Sequence, residues 1–351
     1  MAGEGVRVGR EPLKDFARQL FMKIGMPPQD AETEADVLVW ANLRGIDSHG
    51  VLRIPTYVKE AEGGYMNVNP RIQTLKETPA ILVIEADRAF GPVATTFAMQ
   101  KAMGKAKKTG IGWVFIRNIT HQGAMGYYSL LAAEKDMVGL AEVSSPLNMA
   151  PYGSRAAGVA NNPIAIAVPA KRHSPLVLDM ATSIIAGGKL LLAIDKGVSI
   201  PTGWALDKDG NPTTDPKAAE ILLPVGGPKG SGLALMLECI TSVLLGNPML
   251  EPYVYDRRVY DGHEIQNSFV AAIDIRTFTN VKTYKEHIDN LIDGIKALPK
   301  AEGFAEIFVP GEPEARTAEE RARNGIPLPE GTVRNLRNVA GQLGVKLPQG
   351  L

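Results

Sequence analysis

The sequence predicts a mixed α and β fold without a regular strand–helix–strand series. Three observations lead there. The first 60 residues carry apolar positions at helical spacing and no strand pattern. The stretch from 80 to 297 interleaves short apolar runs with helical ones in no fixed alternation. No G-x-G-x-x-G follows a candidate strand, so the dinucleotide fingerprint of the doubly wound α/β sheet is missing.

In chain order, residues 11–24 place Leu13, Phe16, Leu20, Phe21 and Ile24 at helical spacing, and Gly25 ends the run. Pro28 opens a second helix over 29–43, where Ala35, Val37, Leu38, Trp40 and Ala41 are apolar, and Gly45 stops it. After a short loop, a third helix covers 51–62 and closes at Gly63 and Gly64. Residues 80–85 (AILVIE), 112–116 (GWVFI), 138–143, 164–168, 176–178 and 269–275 (FVAAIDI) read as strands. Helices are expected over 95–108, 126–135, 183–195, 233–245 and 284–297. The charged stretch 317–343 is expected to be helical in part, broken at Pro327 and Pro329.

At roughly 100–200 residues per domain, 351 residues make two or three domains. Lys plus Arg and Asp plus Glu number 38 each, so the basic excess of a generic nucleic-acid binder is absent overall. The one cysteine, Cys239, rules out an internal disulfide and speaks against a thiolate metal cluster. The N-terminus is charged throughout, so no signal peptide is expected. The longest apolar run, 232–246, is broken by Glu238, Thr241 and Ser242, so no membrane span is expected. A reducing cytoplasm is the expected location. No P-loop, G-x-S-x-G elbow or H-E-x-x-H word occurs. The histidines (His49, His121, His173, His263, His287) are scattered, and no metal site is expected.

Four segments concentrate glycine, hydroxyl, charge and histidine at expected element ends, where sites are built. In Asp47–Tyr57, Ser48 and His49 precede a helix that carries Arg53 and Tyr57 four apart, on one face. A guanidinium grips a carboxylate with two parallel hydrogen bonds, and an imidazole beside it moves a proton, which suits a 2-oxo or 2-hydroxy acid. The plainer alternative is a capping histidine and a surface ion pair. In Asn118–Tyr128, His121 follows a strand and opens a helix, where the dipole favours its neutral form; simple capping is again the alternative. In Leu178–Ser183, a strand ends before hydroxyl residues and Gly187-Gly188-Lys189, so free N–H groups there would suit a phosphate or ribose. An ordinary cap with an exposed Lys189 explains the same residues. In Pro224–Gly232, four glycines and Lys229 precede an apolar helix, an arrangement for an anion or a flexible connector. Glu238 and Cys239, further along that helix, suit packing or a buried hydrogen bond.

Together the words RGIDSHGVLR (44–53), GAMGYY (123–128), APYGS…NNPIAIAVP (150–169), LDMATS…GK, IPTGWALDKDGNPTTDP (200–216), LLPVGGPKGSGLALMLE (222–238) and VPGE (309–312) resemble the non-Rossmann malate/L-lactate dehydrogenase family. They run through most of the chain in order. The resemblance implies a non-Rossmann nucleotide-binding fold with a mixed, largely antiparallel sheet. It also implies a helical unit formed by the N- and C-terminal segments. The expected division is an N-terminal helical region with the catalytic loop (1–75), a central nucleotide-binding domain (76–309), and a C-terminal segment packing back on the first (310–351).

The implied activity is oxidoreduction between 2-hydroxy and 2-oxo acids with NAD or NADP, in a homodimer. Here His49 resembles the proton donor and His121 the second active-site histidine, an acceptor in the ureidoglycolate branch. Which of them moves the proton stays open. Arg53 resembles the carboxylate clamp, with Ser48 and Tyr57 beside it. Ser145, Asp179, Met180, Ala181, Thr182, Lys229, Pro310, Gly311 and Glu312 resemble cofactor contacts. Two departures stand out: Gln122 replaces a frequent Phe, which suggests a more polar pocket wall, and Ser231 replaces a frequent Tyr. A cyclic-imine reductase and a noncatalytic nucleotide-binding relative are the alternatives.

Overall fold

The computed structural model describes residues 6–251 and 265–351; His263 lies outside them. Its centre is a seven-stranded sheet in the order β2-β3-β4-β10-β5-β6-β7. The strands are β2 (Gln73–Glu77), β3 (Ile81–Glu85), β4 (Ile111–Ile119), β5 (Met137–Ser144), β6 (Ile164–Val168), β7 (Leu176–Met180) and β10 (Gln266–Asp274). Only β3 and β4 pair parallel; the other neighbours are antiparallel, so the sheet is mixed and largely antiparallel, as expected. The parallel pair is joined through helix α4 (Gly91–Thr109), the long crossover that parallel strands require.

Alternation along β4 decides what covers the sheet. Val114 and Ile116 point to one face, under α4 and α5 (Gly126–Ala133), in a core with Ala98, Met99, Ala102 and Tyr128. Trp113 and Phe115 point the other way and meet Phe269 of β10, with the Trp113 and Phe269 ring centroids 4.9 Å apart.

A second core joins the two ends of the chain. Helices α1 (Arg10–Lys23), α2 (Pro28–Leu43) and α3 (Ile54–Glu62) supply Leu13, Phe16, Leu20, Phe21, Leu38, Ile54 and Tyr57. Against them lie Val333, Leu336 and Val339. These stand on the final helix, Glu330–Leu343, which follows β11 (Ile326–Leu328). Strand β11 pairs antiparallel with β1 (Val6–Val8), and Pro327 sits opposite Arg7 in this two-stranded ribbon, where a missing N–H is tolerated. Leu336 is fully buried in this cluster, so Leu336→Ala is expected to cost about 2–5 kcal/mol, read as a lower urea midpoint at unchanged slope.

Several elements differ from expectation. Strand β2 escapes the sequence pattern because all five residues are exposed and none alternates. The ribbon β8 (Ala205–Leu206) with β9 (Ile221–Leu222) is too short to leave a period. Helix α6 (Gly187–Lys196) starts at Gly187 rather than 183; Ser183 instead bridges Pro224, and Ile185 is drawn into a small core with Met149 and Leu222. The glycine-rich segment itself starts helix α7 (Pro228–Glu238), after Gly226 and Gly227 turn the chain at φ 59° and 60° and Pro228 presets the first turn. The helix then widens into a π turn over Cys239–Val243. Glu238 is buried and its Oε1 accepts the N–H groups of Met249 and Leu250. Helix α8 spans Val281–Lys296 and helix α9 Glu312–Asn324, so the last helix is α10. No helix among the described residues is long and apolar enough to cross a membrane.

Candidate active site

A cavity of about 1130 Å³ opens between the helical unit and the β7 edge of the sheet. The turn after α2 brings Asp47, Ser48 and His49 to its wall, as two short 3-10 turns, Asp47–His49 and Val51–Arg53, that lead into α3. Facing them are the end of β7 (Asp179, Met180, then Ala181), the start of α6 (Ala186, Gly188, Lys189) and the Pro310–Gly311 turn. Close approach explains two of the glycines. A Cβ on Gly188 would stand 2.3 Å from the Ser48 Cβ. Gly311, at φ 83°, lets the chain cross β7 against Val177, whose N–H donates to the Pro310 carbonyl at 3.0 Å.

The structure brings the two histidines together. Their rings stack at 5.4 Å between centroids and 19° between planes. His121 holds the Tyr57 hydroxyl at 2.5 Å from Nδ1, and Nδ1 also accepts the Gly123 N–H at 3.3 Å. A backbone N–H only donates, so Nδ1 carries no proton and the neutral ring bears its hydrogen on Nε2. The Ser48 hydroxyl lies 2.9 Å from His49 Nδ1. Arg53 donates from Nε to the Ser48 carbonyl at 2.8 Å, and its Nη groups have no hydrogen bond to the described residues. Burial first, and the Arg53 charge second, push the His49 pKa down to about 4. The same causes, with His49 itself, hold His121 well below the ordinary imidazole value. Both rings are neutral near pH 7.

The reason for His121's neutrality differs from the expected one. Helix α5 starts at Gly126, so His121 sits in a loop ahead of it and does not open that helix. Gln122 also differs. It is buried away from the cavity, its Oε1 accepting the Thr95 hydroxyl at 2.8 Å, so the polar residue is absorbed by a buried partner and leaves the cavity wall unchanged.

Of the expected cofactor contacts, Asp179, Met180, Ala181, Pro310 and Gly311 line the cavity. Asp179 opens onto it and accepts the Gly126 N–H at 2.7 Å. The surrounding protein and nearby Glu314 push its pKa up to about 6 against the pull of that bond and of Arg44. Ser145, Thr182, Lys229 and Glu312 do not reach the wall. Ser145 is buried with its N–H on Asn162, Thr182 is buried with a hydroxyl that has no partner among the described residues, and Lys229 is exposed at the start of α7. Glu312 binds Lys296 at 2.7 Å and Arg316 at 2.6 Å, and so holds the preceding turn rather than facing inward. Arg53, Tyr57 and His121 stand just behind the wall that His49 forms.

Sequence reasoning missed several lining residues. Arg44 lies 5.1 Å over the Trp40 ring and donates to the Gly311 carbonyl; it opens the word RGIDSHGVLR and stands four residues after Trp40, but no site role is read from either. Phe308, Arg334 and Asn335 carry no local signal at all. No group of three or more His, Cys, Asp or Glu suited to a metal occurs among the described residues.

The cavity fits a dinucleotide. Its volume exceeds the roughly 300–1,000 Å³ of ordinary small-molecule pockets, and α6 begins on its wall without a side-chain cap, beside Lys189. Fold and site thus define a mixed α/β protein with a stacked histidine pair, one member of which lines a large cavity. The chain belongs to the malate/L-lactate dehydrogenase family, whose family model matches residues 8–337. It is 40% identical over 336 residues to the L-sulfolactate dehydrogenase of Methanocaldococcus jannaschii, covering 95% of this chain and 96% of that one. It is 32% identical over 325 residues to the NAD(+) ureidoglycolate dehydrogenase of Escherichia coli, covering 92% and 93%. The structure of malate dehydrogenase from Pyrococcus horikoshii matches with a TM-score of 0.88 at 35% identity, over 99% of this chain and 98% of that one.

Proposed function

We propose that the protein is an NAD(P)-dependent oxidoreductase that interconverts small 2-hydroxy and 2-oxo acids. The observation that carries this reading is the stacked, neutral His49–His121 pair beside an arginine with both Nη groups unengaged among the described residues. The relatives' names, dehydrogenases of sulfolactate, ureidoglycolate and malate, support the substrate class. Asp179, Met180, Ala181, Pro310 and Gly311, with Lys189 and the start of α6, would hold the cofactor, and a bound nicotinamide supplies the hydride chemistry at the substrate's C2.

The residues of the chain do the rest. Arg53 grips the carboxylate with its Nη fork and fixes C2 near the histidines. His49, neutral at working pH, takes the hydroxyl proton during oxidation and returns it during reduction. His121 presents Nε2–H as a hydrogen-bond donor to the substrate oxygen, with Tyr57 holding the other nitrogen. A carboxylate on Arg53 offsets the charge that depresses both imidazoles, so substrate binding itself raises their pKa toward the range of proton exchange.

The sign of the pH dependence follows. The proton acceptor must be neutral, and in the free protein His49 stays neutral down to about pH 4. With oxidised nicotinamide saturating, so that the titration of Asp179 at about 6 does not enter through cofactor binding, kcat/KM for a 2-hydroxy acid is expected to hold level from about pH 8 to about pH 5. A decline centred on the ordinary imidazole value of 6.5 would contradict the assignment.

A further inference from the structure

Helix α9 reaches back across the chain to the histidine turn. Arg321 is 13% exposed; it donates from Nη1 to the Asn42 carbonyl at 2.5 Å and to Asp47 Oδ1 at 2.6 Å, and from Nη2 to Asp47 Oδ2 at 3.0 Å. Asn42 is buried at the end of α2. Its Nδ2 donates to Asp47 Oδ1 at 2.7 Å and its Oδ1 accepts the Val51 N–H at 2.8 Å. Gly50 lies directly on this amide: a Cβ there would stand 2.2 Å from Asn42 Oδ1. The turn is therefore fastened at Asp47 by Arg321 and Asn42, and at Val51 by Asn42 alone. Ser48 and His49 lie between the two fastenings.

Arg321 itself does not line the cavity. Its two Nη groups meet the two carboxylate oxygens as a fork, which fixes the plane of the Asp47 carboxylate in a way a single ammonium does not. The Asp47 side chain is 38% exposed at the cavity, so the pair acts through this fixed geometry rather than through a charge held away from water. We infer that Arg321 is a positioning residue for His49: the docking of α9 sets the placement of the catalytic turn, and the C-terminal segment is thereby part of the site. The inference deepens the proposed function and rests on it for the name of the reaction.

The test uses the full chain with Arg321→Ala and Arg321→Lys. The first readout is independent of turnover: the imidazole 15N signals of His49, with His173, which pairs with Asp293 on α8, as the remote control. In Arg321→Ala the His49 signals are expected to move while those of His173 stay. The second readout is kinetic. For a reactive 2-oxo acid, kcat is expected to fall about 10²-fold with KM and reduced-nicotinamide affinity within about threefold. Arg321→Lys, which keeps the charge and loses the fork, is expected to recover part of kcat. Should Arg321→Ala not fold, Arg321→Lys carries the same two readouts. Unmoved His49 signals, or kcat within about twofold of the parent, would overturn the inference. A parent protein inactive on every 2-oxo acid would sink the proposed function instead, and the His49 signals would still decide the positioning role.

Discussion

Replacing His49 by Ala is expected to lower the turnover of 2-oxo acids by about 10²–10⁴-fold, with cofactor binding retained. The size of the effect follows from what the residue does. A positioned proton donor that is also the acceptor in the reverse direction cannot be replaced by water at the same geometry. The fold should survive, because His49 is half-buried in a turn whose other contacts, Asp47 to Arg321 and Val51 to Asn42, do not involve its ring. His121→Ala is the partner experiment. Its ring donates from Nε2 and is held by Tyr57 at Nδ1, so its loss removes a hydrogen bond to the substrate oxygen rather than the proton carrier. A larger loss in His121→Ala than in His49→Ala would exchange the two roles. Normal turnover in His49→Ala would remove the proton assignment outright.

Arg53→Ala is expected to raise KM for a 2-oxo acid about 10- to 100-fold, the equivalent of about 1.5–3 kcal/mol of charge-assisted hydrogen bonding. It should also move the acid limb of kcat/KM upward. The Arg53 cation is the second cause of the depressed His49 pKa, after burial, and its removal leaves burial alone to hold the ring neutral. Arg53→Lys separates the two effects. It keeps the charge, so the acid limb should stay in place, and it loses the fork, so KM should still rise. An Arg53→Ala variant with unchanged KM would show that the substrate carboxylate lies elsewhere.

The sequence disclosed the local parts of this molecule well. Helix α1 follows from Leu13, Phe16, Leu20 and Phe21 at helical spacing, all of which are buried. The break in the C-terminal stretch follows from Pro327, inside the short β11, and Pro329, directly after it, between α9 and α10. What stayed hidden is what depends on chain segments meeting. Strand β10 inserts between β4 and β5, although β5 follows β4 in the chain, and no pattern within 266–274 announces its neighbours. Among site residues, the turn Asp47–Arg53 was legible because its histidine, glycine and arginine lie in one short word. Arg321 was not, since its carboxylate partner is 274 residues away. Lys229 and Glu312 show the converse. Each sits in a suggestive word, yet one ends exposed on α7 and the other is held by Lys296 and Arg316. A word carries residue types, whereas the direction of a side chain is decided by what packs beside it.

The central claim is that the cavity lined by His49 and the β7 edge, with Arg53 behind His49, is where a 2-oxo acid is reduced at the expense of a nicotinamide. Loss of reduced-nicotinamide absorbance reports it directly. NADH and NADPH would be run in parallel against pyruvate, oxaloacetate, other 2-oxo acids and a cyclic imino acid. The expected result is turnover of a 2-oxo acid with one or both cofactors. Neither turnover nor binding of either cofactor would contradict the reading of the cavity, and turnover of the imino acid alone would contradict the assigned substrate class.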